Sequence, residues 1–231
     1  MQIAEGIIVP GRIRRLPVCA ERSIPVPWFV QWFDDGKPSA QGVGKPDFRV
    51  IDTLKYAIAV KQKRCWVCGG ILGRHLAFTA GPMCAILRIS GEPPSHRECA
   101  EFSARACPFL SRPDMVRRED RLPDAAKFNP LMLERNPGVA MVWITLSYTV
   151  HQDSRSVICA MGDPVELLFF KNGRDASREE VMNSINSGLP SLTAAAETEG
   201  ENSVREVFVR YGEAKRLVEQ FCKGGNNGMG K

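Results

Sequence analysis

The sequence of 231 residues has no apolar run near the roughly 20 residues that a membrane-spanning helix needs. Its start, MQIAEGIIVPGRIRR, carries charge after a short apolar patch rather than before a long one, which does not read as a secretory signal. There is no internal repeat and no long low-complexity tract. The chain also lacks a phosphate-cradling P-loop, a Gly-x-Ser-x-Gly elbow and a dinucleotide fingerprint. These absences exclude an integral membrane protein, a coiled coil and a collagen-like repeat, and they leave the commonest catalytic motifs unrepresented. Apolar residues at 44% and charged residues at 25% suit a globular chain with enough core for one generous domain or two small ones. A cytoplasmic setting is the expectation. With histidine scarce, at three residues, the unusual count is cysteine, at eight.

Charge is uneven. Residues 1–122 hold 19 Lys/Arg against 12 Asp/Glu, whereas residues 123–231 hold 12 against 14. A basic first half suits an anionic partner such as nucleic acid, and equally a plain solvated face. The Pro-bounded, charged stretch from Ser111 to Pro123, followed by Asn129-Pro130 and Asn136-Pro137-Gly138, reads as a surface connection. The division expected is a basic region 1–122, a linker 123–137, an α+β region 138–223 and a flexible tail 224–231.

Local patterns give the elements. Trp28–Phe33 reads as a strand ending at the turn Asp34-Asp-Gly36, and Phe48–Ile51 as a second strand. Asp52 can cap a helix running to about Lys63, with Leu54 and Ile58 on its apolar face. Val139–Val150 is the strongest strand pattern, with Val157–Met161 set to pair with it antiparallel. Asp163-Pro164 looks like a helix entrance. Ser177-Arg-Glu-Glu180 is a capping box opening a helix that Gly188-Leu-Pro190 would close. A last helix carries Val204, Val207, Phe208, Tyr211, Ala214, Leu217, Val218 and Phe221 on one stripe. The fold class is α+β.

Five cysteines and two histidines fall between residues 65 and 107. In a reducing compartment, spaced cysteines signal metal or redox chemistry more often than disulfides. Cys65-Trp-Val-Cys68 is followed by Gly69-Gly70, so a tight turn can aim both sulfurs at one point. His96 and Cys99 stand three apart at a helix start, on one face, with Ser95 and Glu98 as a capping box. Arg74–Thr79 and Ala85–Ile89, bent at Gly81-Pro82, would form a hairpin between the two pairs. Cys107 lies on the order of 12 Å of helical rise beyond Cys99, and with Cys19, Cys159 and Cys222 it reads as a packing residue. His75 and His151 have no partner spacing.

The knuckle, hairpin and helix over residues 63–108 resemble the treble-clef zinc finger. That resemblance implies a structural Zn2+ held by Cys65, Cys68, His96 and Cys99, and Cys84, placed on the expected hairpin, is an alternate ligand able to replace one of them, foremost His96. The wider pattern is Cys-x-x-Cys-Gly, Gly-Pro-Met-Cys, Pro-Pro-Ser-His-x-x-Cys-Ala and Cys-Pro-Phe-Leu, with Asn136-Pro-Gly138 and Gly188-Leu-Pro190. It resembles a family of uncharacterised bacterial and bacteriophage proteins, which implies a bacterial or phage setting and no mechanism.

Three functions follow as expectations. The first is a non-enzymatic zinc-stabilised binding or adaptor protein whose partner is nucleic acid or protein, with Lys63, Arg64, Trp66 and Arg74 as possible nucleic-acid contacts and no catalytic residue. The second is a divergent His-Asn-His-type nuclease using His75, although the helix after Cys99 lacks the histidine or asparagine that class requires. The third is thiol redox chemistry at Cys65 and Cys68, for which the following Gly69-Gly70 is unsuited because no helix begins there. No small-molecule substrate and no membrane partner is inferred.

Overall fold

Turn and cap chemistry organise the first elements. The computed structural model describes residues 6–111, 138–152 and 157–222. A one-turn helix α1 (Gly11–Arg14) leads into a two-stranded ribbon, β1 (Val18–Cys19) with β2 (Ile24–Pro25). Next come β3 (Val30–Asp34), β4 (Lys37–Ser39) and β5 (Lys45–Ile51), which form a sheet in the order β4-β3-β5. The expected cap holds: Asp52 accepts hydrogen bonds from the Leu54 and Lys55 amides at 3.0 and 3.1 Å and opens α2 (Thr53–Gln62). The helix ends at Lys63 in the left-handed conformation. Leu54 does not lie on a buried face; it is 75% exposed. The helix is instead seated by buried Ala59 and by Tyr56, whose ring meets Trp66 edge-on and whose hydroxyl donates to the Gly91 and Val157 carbonyls.

The remaining elements are β6 (Leu76–Ala80), α3 (Met83–Leu87), β7 (Ile89–Ser90), α4 (Arg97–Ala106), α5 (Pro108–Ser111), β8 (Ala140–Thr145), β9 (Tyr148–Gln152), β10 (Val157–Met161), β11 (Pro164–Lys171), β12 (Arg174–Asp175), α6 (Arg178–Glu197) and α7 (Glu201–Cys222). Two further antiparallel sheets result, one ordered β12-β11-β8-β6 and one β7-β10-β9. The fold is mixed helix and sheet, α+β as the sequence patterns indicate.

Strand β8 is buried along its whole length. On one face of its sheet Met141, Trp143, Phe78, Leu167 and Phe169 pack against residues of α3, α6 and α7, among them Ile86, Ile185 and Val218. On the other face Ala140, Val142, Ile144 and Ala77 meet Ala100 and Ala104 of α4. A strand covered on both sides reads as a continuous apolar run, which is why Val139–Ile144 is the strongest strand signal in the sequence.

Several expectations are corrected here. Residues 85–89 do not return as a hairpin strand; Pro82 opens the helix α3 instead, and β6 pairs with β8. Met83–Leu87 has no two-residue alternation, whereas β6 has a buried partner strand on offer. The run 139–150 is broken at Leu146-Ser147, so β9 rather than β8 pairs with β10. Asp163-Pro164 opens a strand, not a helix, because Val165–Phe170 can fill the open edge of β8. Phe208 of the final stripe is half exposed, while Val207, Ala214 and Val218 are buried. The sheet that joins β6 to β8 and β11 also crosses the division expected at residues 123–137. That linker, apart from its flank Gly138, and the tail 224–231 lie outside the described residues.

The Ser177 capping box is present, with the Glu180 amide donating to Ser177 Oγ at 3.2 Å and the Ser177 amide to Glu180 Oε2 at 2.9 Å. Its helix does not stop at Gly188; α6 continues through Gly188 and Pro190 to Glu197. Tertiary packing overrides the local breakers. A Cβ at Gly188 would lie 1.9 Å from Met83 Sδ and 2.4 Å from Met83 Cγ, so the glycine gives α3 its seat against α6. Gly188→Ala is therefore expected to destabilise the protein by about 1–3 kcal/mol despite alanine's better helix propensity. Combined with Met83→Ala the sign should reverse, and a denaturant double-mutant cycle that showed simple additivity would refute this packing account.

Candidate metal centre

Residues 64–71 form a tight knuckle. Arg64 and Ile71 make an antiparallel bridge, the Cys65 amide donates to the Gly70 carbonyl at 2.7 Å, and the Gly69 amide to the Cys65 carbonyl at 2.8 Å. Gly69 has φ +72, and a Cβ there would stand 2.8 Å from the Trp28 ring, so this position requires glycine twice over. The turn points its own amides at sulfur: the Cys68 N–H donates to Cys65 Sγ at 3.4 Å.

The second pair arrives through β6 and α4. Ala77 and Ser95 exchange backbone hydrogen bonds of 2.9 and 2.7 Å, which places His96 directly at the start of α4. The expected Ser95–Glu98 capping box is absent. Ser95 is buried in that bridge, His96 is the N-cap without a side-chain cap bond, and Glu98 pairs instead with Arg12 at 2.9 Å. The amide of His96 donates to Cys65 Sγ at 3.4 Å, so the first sulfur collects N–H donors from both segments.

The structure brings Cys65, Cys68, His96 and Cys99 together, with one candidate ligand atom from each lying within 4.8 Å of all the others. This group could hold a metal ion. Cys65 and Cys99 are completely buried, and Ile13, Leu16 and Val67 close the apolar shell around them. Helix α1, which no sequence signal marks, supplies Ile13 to this shell and Arg12 to the rim. His96 Nδ1 lies 3.3 Å from Cys68 Sγ, and Nε2 lies 2.9 Å from the Ile71 carbonyl oxygen.

Crowding the thiols sets them against one another. Burial opposes ionisation of Cys65, but hydrogen bonds from Cys68, Cys99 and His96 outweigh it and hold this thiol below its ordinary range. Cys99 is driven upward by its hydrogen bonds to Cys65 and Cys68 and then by burial, and Cys68 is raised chiefly by its hydrogen bond to Cys65. His96 is raised, first by its hydrogen bond to Cys65. One negative charge is thus favoured in this pocket and further ones are opposed, a conflict that a bound cation relieves.

Other candidates separate from this group. Cys84 is not near the centre; it packs against the main core on α3, and burial pushes its thiol up to about 11. Cys19 and Cys159 are buried in apolar clusters, and Cys107 and Cys222 are half-buried. Trp66 cannot serve as a base-stacking face: it is 2% exposed, stacked on Phe29 with centroids 4.8 Å apart. Lys63 and Arg74 are exposed on the rim, while Arg64 is half-buried and donates to Gln62 and to the Gly69 carbonyl. His75 is exposed in a shallow depression that Arg74, His96, Arg97 and Glu101 also line.

Beside the knuckle, burial raises the Glu92 carboxyl to about 7. Because the folded pKa exceeds the ordinary 4.5, the folded state holds the extra proton. Stability is then lost as pH rises from about 4.5 through 7 and stays low above that. Glu92→Gln is expected to raise the melting temperature at pH 8 and to leave it nearly unchanged at pH 4.5; equal effects at both pH values would contradict this. No family model matches the chain, and none of the curated proteins or solved structures compared with it does.

Proposed function

We propose that the chain is a non-enzymatic, zinc-stabilised binding protein that engages nucleic acid through the basic rim of its metal centre. The observation that carries this reading is the convergence of three thiols and one imidazole from two segments. In a tetrahedral zinc site with bonds of about 2.3 Å, neighbouring ligand atoms stand roughly 3.8 Å apart. A group gathered within 4.8 Å needs only slight contraction to reach that. Four protein ligands complete the coordination of Zn2+, so such a site is structural rather than catalytic. The knuckle, the Ala77–Ser95 bridge and a helix with ligands in its first turn support a treble-clef-like description. The 14-residue excursion at 81–94, including α3 and β7, replaces the turn of a simple hairpin. A reducing bacterial or phage setting fits the free thiols and the sequence motifs.

The rim supplies the partner. Arg12, Lys61, Lys63 and Arg74 surround the knuckle on exposed positions, and no ion pair engages the two lysines or Arg74 among the described residues. With Trp66 and Trp32 in the core and the half-buried Trp28 packed over Gly69 and the metal-site shell, recognition falls to cations on phosphates rather than to stacked bases. The nuclease reading gains nothing from the structure. His75 stands at the rim, but α4 beyond Cys99 offers only Ala-Glu-Phe-Ser-Ala-Arg-Ala. Cys65 and Cys68 lie in a knuckle with two further ligands, not at the strand-to-helix junction that a thiol oxidoreductase uses.

Purified protein is expected to carry one equivalent of zinc, and chelation or Cys99→Ser should lower the melting temperature and release the knuckle from α4, since apparent zinc energies of about 10–16 kcal/mol exceed what the few apolar contacts around the site supply. A soluble Cys99→Ser variant with unchanged melting and zinc content would refute the assignment. For the partner, Lys63→Gln with Arg74→Gln should weaken DNA or RNA binding and lower the salt slope by about one unit per removed contact. Binding indifferent to salt and to both changes would point to a protein partner.

A further inference from the structure

We infer that His96 meets the metal through Nδ1 and that the main-chain carbonyl of Ile71 is the group that sets this choice. The inference deepens the zinc reading above and rests on it. A neutral imidazole carries one N–H and one lone pair, and only the lone pair can ligate. A carbonyl oxygen only accepts, so the 2.9 Å contact between Nε2 and the Ile71 oxygen requires the proton on Nε2. The lone pair is then left on Nδ1, which is the nitrogen that faces the thiols, 3.3 Å from Cys68 Sγ.

The backbone makes the same choice. The amide of His96 already touches Cys65 Sγ at 3.4 Å, so the ring approaches the cluster from its near side, where Nδ1 lies. Turning the ring over would put Cδ2 against Cys68 and Cε1 against Ile71, and both polar contacts would be lost. Gly70 lies directly against the ring, with the site of a Cβ there 3.4 Å from His96 Cε1 and 3.5 Å from Cys68 Sγ, an ordinary packing distance. The return limb of the knuckle thus does two things. It closes the turn that carries Cys65 and Cys68, and it orients the ligand that belongs to α4. Ile71 acts through its main chain, as a positioning residue, and its side chain is 72% exposed.

The test uses the full chain, labelled with isotopic nitrogen and loaded with a spin-active cadmium isotope in place of zinc. Long-range proton–nitrogen correlation spectra of the imidazole should show cadmium coupled to Nδ1 of His96, with Nε2 protonated and its proton protected from exchange. Cadmium coupled to Nε2 would overturn the inference. Cadmium coupled to the three cysteines but to neither imidazole nitrogen would also overturn it, by removing His96 as a ligand while leaving a metal centre. Failure to retain cadmium or zinc at all would instead bring down the zinc reading and this inference with it.

Discussion

Helix α4 is the element on which the first half of the molecule depends, because it is packed from two sides at once. Ala100 and Ala104 lie against Ala77, Ala140 and Val142 of the sheet, and Cys99 turns the other way into the shell made by Ile13, Leu16 and Val67. Alanines at the contact let helix and sheet backbones approach closely, and larger side chains there would force them apart. The position of Cys99 is therefore set by the packing of a sheet that includes strands from beyond residue 138. The small module that holds the four candidate ligands is not a separate bead on the chain.

Bringing buried thiols together without bonding them has a cost. Each loses water, and ionising one raises the cost of ionising the next. In the other direction, a cation would join segments some thirty residues apart, and a clip across such a loop recovers chain entropy that a few apolar contacts could not. The same apolar shell would keep the ion from exchanging freely with solvent. Around it the surface changes character. Val67, Cys65 and Trp66 are covered, while Lys63, Arg74 and Ile71 are presented to solvent within one short turn-and-return of the chain. A knuckle with charged flanks is the feature on which the proposed binding role rests.

The tryptophans show how composition can mislead about such a surface. Trp28, Trp32 and Trp66 suggest a platform for bases, yet Trp66 is held between Phe29 and Tyr56, Trp32 is buried and Trp28 packs over Gly69. Aromatic area is the cheapest way to fill the gap between α2, β3 and the knuckle, and that use takes precedence. The cations that accompany them remain outside because their heads need water.

What was legible in the residues is local. The Asp52 and Ser177 caps, the Asp34-Asp-Gly36 turn and Gly69 of the knuckle each depend on groups within a few positions of one another, and all stand as read. The spacing of Cys65, Cys68, His96 and Cys99 likewise names a set that the fold does gather. Local signals failed wherever a distant partner decided the outcome. Pro164 begins a strand because β8 has an open edge, Gly188 stays helical because Met83 fills its place, and Ser95 gives up its capping role to the bridge with Ala77. Cys84 has the right chemistry for a ligand and the wrong side of α3. The sequence alone determined which side chains could bind a metal, since thiol and imidazole chemistry needs no fold to be recognised. Only the tertiary structure decided which four meet and which nitrogen of His96 faces them, because those outcomes rest on contacts between residues far apart in the chain.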